Sequence, residues 1–289
     1  MRKLLTLLIF SCTFFVGNAQ TVLWTETFSN ACASDCDATA YVGPNGAWTE
    51  TLTGFNGSEA NVFYVSGQEC GNAAGACGSV CGAADPSLHI GSNASVLMDQ
   101  GAAYLSGGGG FFFPETDRRI ESPTINMTGN SNLTLTFNYI ENGDGTIDNA
   151  SVWYFEGATW TLLQDMAKTP LTCNPQGTWT SVSIALPASA NNNPSMKIGF
   201  RWVNNDDGIG TDPSFAVDDI QITTPSAGSA PVANFTASST SLCAGDCITF
   251  TNTSTFAPGA TFSWNFGNSQ TSTLQTPGSI CYATAGSYT

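Results

Sequence analysis

Between residues 21 and 224 apolar and small polar residues alternate with a period of two. The clearest stretches are SNLTLTFNYI (131–140), NASVWYF (149–155), TWTSVSIAL (178–186), MKIGFRWV (196–203) and FAVDDIQIT (215–223). Clusters of Gly, Asn, Asp and Pro separate them, as turns separate half-buried strands. No window of helical length carries an i, i+3, i+4, i+7 apolar stripe. Roughly ten such strands in about 200 residues predict two packed antiparallel sheets, a β-sandwich of jelly-roll type. The small, uncharged segment TTPSAGSAP (223–231) then reads as an extended linker. A second β pattern follows in VANFTAS, CITFTNTS, TFSWNFGNSQ and SICYATAGSYT. The expected organisation is therefore 1–19, 20–224, 225–230 and 231–289, and the expected fold class is all-β.

The first 19 residues stand apart from this pattern. Arg2 and Lys3 precede an apolar run from Leu4 to Val16, and Gly17-Asn18-Ala19 supplies the small residues of a cleavage site. This is the layout of a secretory signal; the run is short of the ~18 residues a spanning helix needs. The expectation is an extracellular chain that does not insert into a membrane once the signal is removed.

Composition agrees with that compartment. The 289 residues carry 7 Lys plus Arg against 22 Asp plus Glu, a net charge of −15. Loss of Arg2 and Lys3 would leave five cations and a net of −17. So few cations exclude a phosphate-neutralising face, and with it a nucleic-acid partner. An acidic surface attracts cations instead, and calcium takes carboxylate and carbonyl oxygens.

Nine cysteines lie beyond the signal: Cys32, Cys36, Cys70, Cys77, Cys81, Cys173, Cys243, Cys247 and Cys281. In an oxidising compartment they form a disulfide framework. The CxxxC spacings lack the paired CxxC or histidine partners usual for zinc. Six fall before residue 226, with fifteen possible pairings. Three fall after it, so one is left over.

Two resemblances add to this reading. PVANFTAS, ITFTNTS, FSWNFGN (262–268) and CYATAGSYT resemble the PKD domain, an immunoglobulin-like β-sandwich of bacterial secreted proteins; Asn265 and Asn268 stand where that family commonly has aspartates. The family's last strand continues past the position of Thr289, so the resemblance implies a partial module within a longer polypeptide. TETFSN (25–30), SLHIGS (87–92), RIESPTINM (119–127) and FAVDDIQI (215–222) resemble the MAM-like or cleaved-adhesin jelly rolls of proteins exported by type IX secretion. That resemblance implies a structural Ca²⁺ linking the first strand to the last. Its ligands would be Glu26 and one of Asp218 and Asp219, Asp218 being preferred because adjacent strand residues point to opposite faces.

Candidate chemistry is otherwise sparse. His89, the only histidine, lies between Leu88 and Ile90 on the opposite strand face and reads as a packing or surface residue. No G-x-S-x-G, H-E-x-x-H or P-loop occurs. Glycoside hydrolysis needs two close carboxylates, and Glu115-Thr116-Asp117 is the nearest approach to such a set. The loops ENGDGTIDN (141–149) and NNDDGIGTD (204–212) are rich in oxygen ligands but do not fit the EF-hand spacing.

Aromatic residues point to binding. Alternation in VWYF places Trp153 and Phe155 on one face and Tyr154 on the other, and Trp160, Trp179 and Trp202 are further candidates. In SGGGGFFFP (106–114), Phe112 and its neighbours either present an apolar patch or re-enter the core. The functional expectation is a non-catalytic adhesion or carbohydrate-binding unit whose partner is an extracellular glycan or protein, with the second module as spacer. The alternatives are an accessory region of a secreted hydrolase and a structural stalk.

Overall fold

The computed structural model describes residues 20–34, 36–94, 97–110, 112–173, 176–225, 233–254 and 261–288. The expected signal (1–19) and the linker beyond Pro225 lie outside them, as does Phe111. The chain divides into two units, Gln20–Pro225 and Ser226–Thr289.

In the first unit the strands are β1 (Gln20–Glu26), the short β2 (Val42–Gly43) and β3 (Gly46–Ala47), β4 (Thr49–Leu52), β5 (Val62–Cys70), β6 (Pro86–Gly91), β7 (Thr116–Glu121), β8 (Thr134–Gly143), β9 (Asn149–Phe155), β10 (Trp160–Asp165), β11 (Thr180–Ala185), β12 (Lys197–Asn204) and β13 (Thr211–Pro225). Two antiparallel sheets result. One has the order β11-β8-β13-β6-β5, with β1 also paired to β13; the other has the order β10-β9-β12-β7-β4. The unit is an all-β jelly-roll sandwich.

Period two explains which side chains fill it. In β9, Ala150, Val152 and Tyr154 are buried, and Ser151, Trp153 and Phe155 face the other way. Across the gap, Phe63, Leu88, Leu135, Phe137, Phe215 and Val217 meet Ile120, Val152, Ile198, Phe200 and Trp202 in one core. Trp202 is fully buried and donates to Asn204 Oδ1 at 2.9 Å, and Trp179 is buried in a smaller cluster with Ala102, Ile140 and Ala216. Neither is a surface platform, which corrects the expectation drawn from their type alone.

Three disulfides pin loops of this unit: Cys32–Cys36, Cys70–Cys81 and Cys77–Cys173. The second closes the loop after β5, and the third ties that loop to the chain before β11. Residues 64–105 in this region also carry buried polar groups on the side of β5 and β6 away from the core. His89 Nε2 lies 2.8 Å from Asp99 Oδ1, Ser66 Oγ donates to Asp99 Oδ2, and Tyr64 stacks on the imidazole. His89 is thus a fully buried packing residue.

The second unit is also β throughout: β14 (Phe235–Ala237), β15 (Cys247–Ile248), β16 (Phe250–Asn252), β17 (Trp264–Asn265), β18 (Thr271–Ser272) and β19 (Ile280–Cys281). They pair as β14-β16, β15-β19 and β17-β18 around Ile248, Phe266, Ile280 and Tyr282. Cys247 and Cys281 are cross-strand partners and form a disulfide. Among the described residues Cys243 is exposed and forms no disulfide, which makes it the cysteine that the count of three leaves over. Asn265 and Asn268 accept from the backbone N–H groups of Gly267 and Gln270, the local turn bonds that Asn and Asp side chains both make.

Candidate functional site

The outward face of the β10-β9-β12-β7-β4 sheet gathers the aromatic and cationic residues. The register sets them in rows: Trp160, Phe155 and Lys197; then Leu162, Trp153, Gly199, Glu121 and Thr49; then Ser151, Arg201, Arg119 and Thr51. Three of the five cations beyond residue 19 therefore share one face, on two adjacent strands.

Each is fixed by a neighbour. Arg201 is bidentate to Asp117, with Nε and Nη2 both 2.7 Å from its oxygens. Arg119 donates to Glu121 Oε1 at 2.9 Å, and Lys197 lies 3.5 Å from Glu121 Oε2. Burial works to raise the Asp117 carboxyl, but the Arg201 guanidinium and the Thr53 hydroxyl together hold it below the ordinary value. The Asp117 carboxylate is thus held as the ion-pair partner of Arg201.

Trp160 stands on β10, the edge strand of this sheet. The Arg119 guanidinium carbon lies 3.9 Å from its ring centroid, and Phe155 packs on it with centroids 5.2 Å apart. Arg119 is only 8% exposed, whereas the Trp160 ring above it is half-buried. Gly199 makes the arrangement fit: a Cβ there would stand 2.7 Å from Arg119 Cδ and 2.8 Å from Trp160 Cζ3. Trp153 donates to Ser151 Oγ at 2.9 Å, with Arg201 5.9 Å from its ring and Leu162 opposite it. The result is a row of half-buried rings with fixed orientation, bordered by paired charges. Trp153, Phe155 and Trp160 were legible as candidates; Arg119, Lys197, Arg201 and Leu162 were not. The available signal was the rarity of cations, which makes their concentration on β7 and β12 informative.

Phe112 lies elsewhere, in the glycine-rich loop. It is 36% exposed and Phe113 is 53% exposed, so both face solvent rather than the core.

The candidate calcium residues lie on the other sheet. Glu26 is buried at the end of β1, where Oε1 accepts from the Thr27 and Phe28 N–H groups and the Tyr41 hydroxyl, and Oε2 from Trp48 Nε1 at 3.4 Å. Asp218 is equally buried, and its Oδ1 has no hydrogen-bond partner. Burial, joined by the charges of Asp219, Asp85 and Glu26, pushes its carboxyl up to about 9 against the opposing Asp219 N–H. Gly71 presses on the same carboxylate: a Cβ would meet Oδ2 at 1.6 Å. An unpartnered buried carboxylate oxygen beside a second acid fits a cation ligand. Asp219 has φ 53° in a register shift between Asp218 and Gln221, is exposed, and accepts from Asn138 Nδ2 at 3.1 Å. Strict alternation is thus interrupted across this shift. Among the described residues no group of three or more His, Cys, Asp or Glu converges as a metal site, and no helix is long and apolar enough to cross a membrane.

No family model matches the sequence, and no curated protein matches it. Among solved structures, the chain is similar to the K1 cleaved adhesin domain of Lys-gingipain from Porphyromonas gingivalis W83, at 17% identity over 69% of this chain and 96% of that one, with a TM-score of 0.38. It is similar to the K2 cleaved adhesin domain of Lys-gingipain at 19% identity, over 72% and 99%, with a TM-score of 0.39. The CBM22-1 xylan-binding domain of Paenibacillus barcinonensis Xyn10C matches at 8% identity, over 73% and 99%, with a TM-score of 0.37.

Proposed function

We propose that the jelly-roll unit binds extracellular polysaccharide on the outward face of the β10-β9-β12-β7-β4 sheet, as part of a secreted or surface adhesion protein. The observation that carries this reading is the Trp160 ring, seated on Arg119 and flanked by Phe155 and Trp153. A sugar ring has an apolar C–H face that stacks on such a surface and hydroxyls that pair with fixed charges at its border. The sequence resemblance to cleaved-adhesin jelly rolls, and the disulfides typical of oxidising compartments, support the extracellular setting. The PKD-like unit serves as a spacer, and type IX secretion is the export route the resemblance implies.

Calcium belongs to the same proposal as a structural cofactor. Asp218 and Glu26 would hold it, with Asp219 alongside; bound there it neutralises an acid pair that is otherwise buried without a counter-charge. The test is a polysaccharide array with the full chain, the Trp160→Ala variant and the Asp218→Asn variant, each with and without EDTA. Binding that is lost in Trp160→Ala supports the platform. Binding unchanged in Trp160→Ala, or absent from the parent chain, overturns it, and the latter leaves the structural-stalk reading. A melting temperature indifferent to calcium in the parent chain removes the metal.

A further inference from the structure

Lys168 sits in an oxygen cage with more acceptors than an ammonium has protons. Its Nζ lies 2.5 Å from Glu141 Oε1, 2.9 Å from the Asp148 carbonyl and 3.0 Å from Asn149 Oδ1, and also contacts the Asn142 carbonyl. A lysine ammonium has three N–H donors, and of these four oxygens Glu141 Oε1 also accepts from the Ala150 N–H at 3.3 Å and the Asp148 carbonyl from the Asp144 N–H at 3.2 Å. A fifth, Glu141 Oε2, has no hydrogen-bond partner, and Glu141 is fully buried.

The chain builds this cage locally. β8 ends at Gly143 and β9 begins at Asn149, with Asp144 and Asp148 bridged across the turn. Gly143 has φ 97°, and a Cβ there would stand 2.4 Å from the Asp148 carbonyl oxygen. Only glycine lets that carbonyl turn inward toward Lys168. One carboxylate, two backbone carbonyls and one amide oxygen are the hard donors that Ca²⁺ takes, and these four groups supply part of the roughly six to eight oxygens of its coordination shell, the rest being supplied by water.

We propose that this cage is a divalent-cation site with a built-in competitor: the Lys168 ammonium holds the oxygens when calcium is scarce, and calcium displaces it. The Lys168 side chain is 28% exposed, so part of it reaches solvent. The site is separate from Asp218 and from the aromatic face, and the proposal stands independently of both.

Calorimetric titration with CaCl₂ tests it in chains carrying Asp218→Asn, so that the other candidate site is silent. Adding Lys168→Met is expected to tighten calcium binding at least about tenfold, and adding Glu141→Gln to that chain to abolish it. Equal affinity with and without Lys168, no binding in the Lys168→Met chain, or binding that survives Glu141→Gln overturns the proposal. If the Lys168→Met chain is unfolded without metal, refolding by CaCl₂ and not by NaCl of equal ionic strength supports the site, and failure to refold with CaCl₂ overturns it. Should Asp218→Asn itself prevent folding, the comparison is read in the parent background with the same criteria.

Discussion

Arg119 lies beneath Trp160 because Gly199, on β12, one of the two strands between theirs, has no side chain to hold them apart. Replacing Gly199 with Ala forces either the ring or the guanidinium to move. The expected result is a roughly tenfold loss of polysaccharide affinity, of the order of one cation–π contact, with little change in melting temperature. Affinity measurement and thermal melting on the same preparation check this; unchanged affinity would show that the seat of the ring does not matter.

Arg119→Met is expected to behave differently. It keeps a chain under Trp160 but leaves Glu121, 7% exposed, with only Lys197 at 3.5 Å. Leaving a buried acceptor short of a partner costs about 1–3 kcal/mol, so stability falls where Gly199→Ala leaves it nearly intact. Urea titration of the two variants separates the effects.

Stability should also fall as pH rises through neutrality. Burial pushes Glu69 up to about 8 from an ordinary 4.5, despite hydrogen bonds from the Ser79 and Ala102 N–H groups. The folded chain then holds a proton that the unfolded chain has released. The contribution of Glu69 is complete below about 4.5 and lost as pH rises through about 8. Asp99 has the opposite sign: burial raises its carboxyl, but the His89 and Ser66 contacts outweigh burial and lower it, so its contribution is lost as acid titrates it. The urea midpoint measured at pH 5, 7 and 9 is expected to decline, and Glu69→Gln to flatten part of that decline.

The disulfides differ in reach. Cys77 and Cys173 are 96 residues apart, whereas Cys32 and Cys36 are four apart. Chain-entropy arithmetic gives about 5 kcal/mol for the long loop and about 2 kcal/mol for the short one. Replacing Cys77 and Cys173 together by Ala should lower the unfolding free energy by clearly more than replacing Cys32 and Cys36, as read by denaturant titration. Equal losses would mean that the Cys70–Cys81 disulfide and packing already hold the loop after β5 without the longer link.

The alternation of NASVWYF was enough to put Tyr154 in the core and Trp153 with Phe155 on the other side, because strand parity is a local property. Parity does not say which faces are covered. Trp179 therefore looked like Trp153 in the sequence, yet it is buried with Ala102 and Ala216 away from the main core. The Arg119–Arg201 pairing across β7 and β12 was not legible either, since it depends on a register between segments about eighty residues apart. At Asp218 and Asp219 parity is interrupted: a register shift in β13 falls between Asp218 and Gln221, so that Val217 and Ile220, three residues apart, both lie in the core. The Lys168 cage was half visible, as an oxygen-rich turn at 141–149 whose cation comes from outside the motif.

The ends of the two sheets bear on how copies of this chain meet one another. A regular outermost strand offers unpaired N–H and C=O groups to any neighbour. Here β4 is only four residues long, and both β10 and β5 carry register shifts, between Leu162 and Gln164 and between Ser66 and Cys70. Irregular ladders of this kind do not template continuation. Of the four outer strands β11 is the regular one: its six residues pair with β8 in unbroken register and carry no charge, so it is the margin at which concentrated copies of the jelly-roll unit could extend a common sheet.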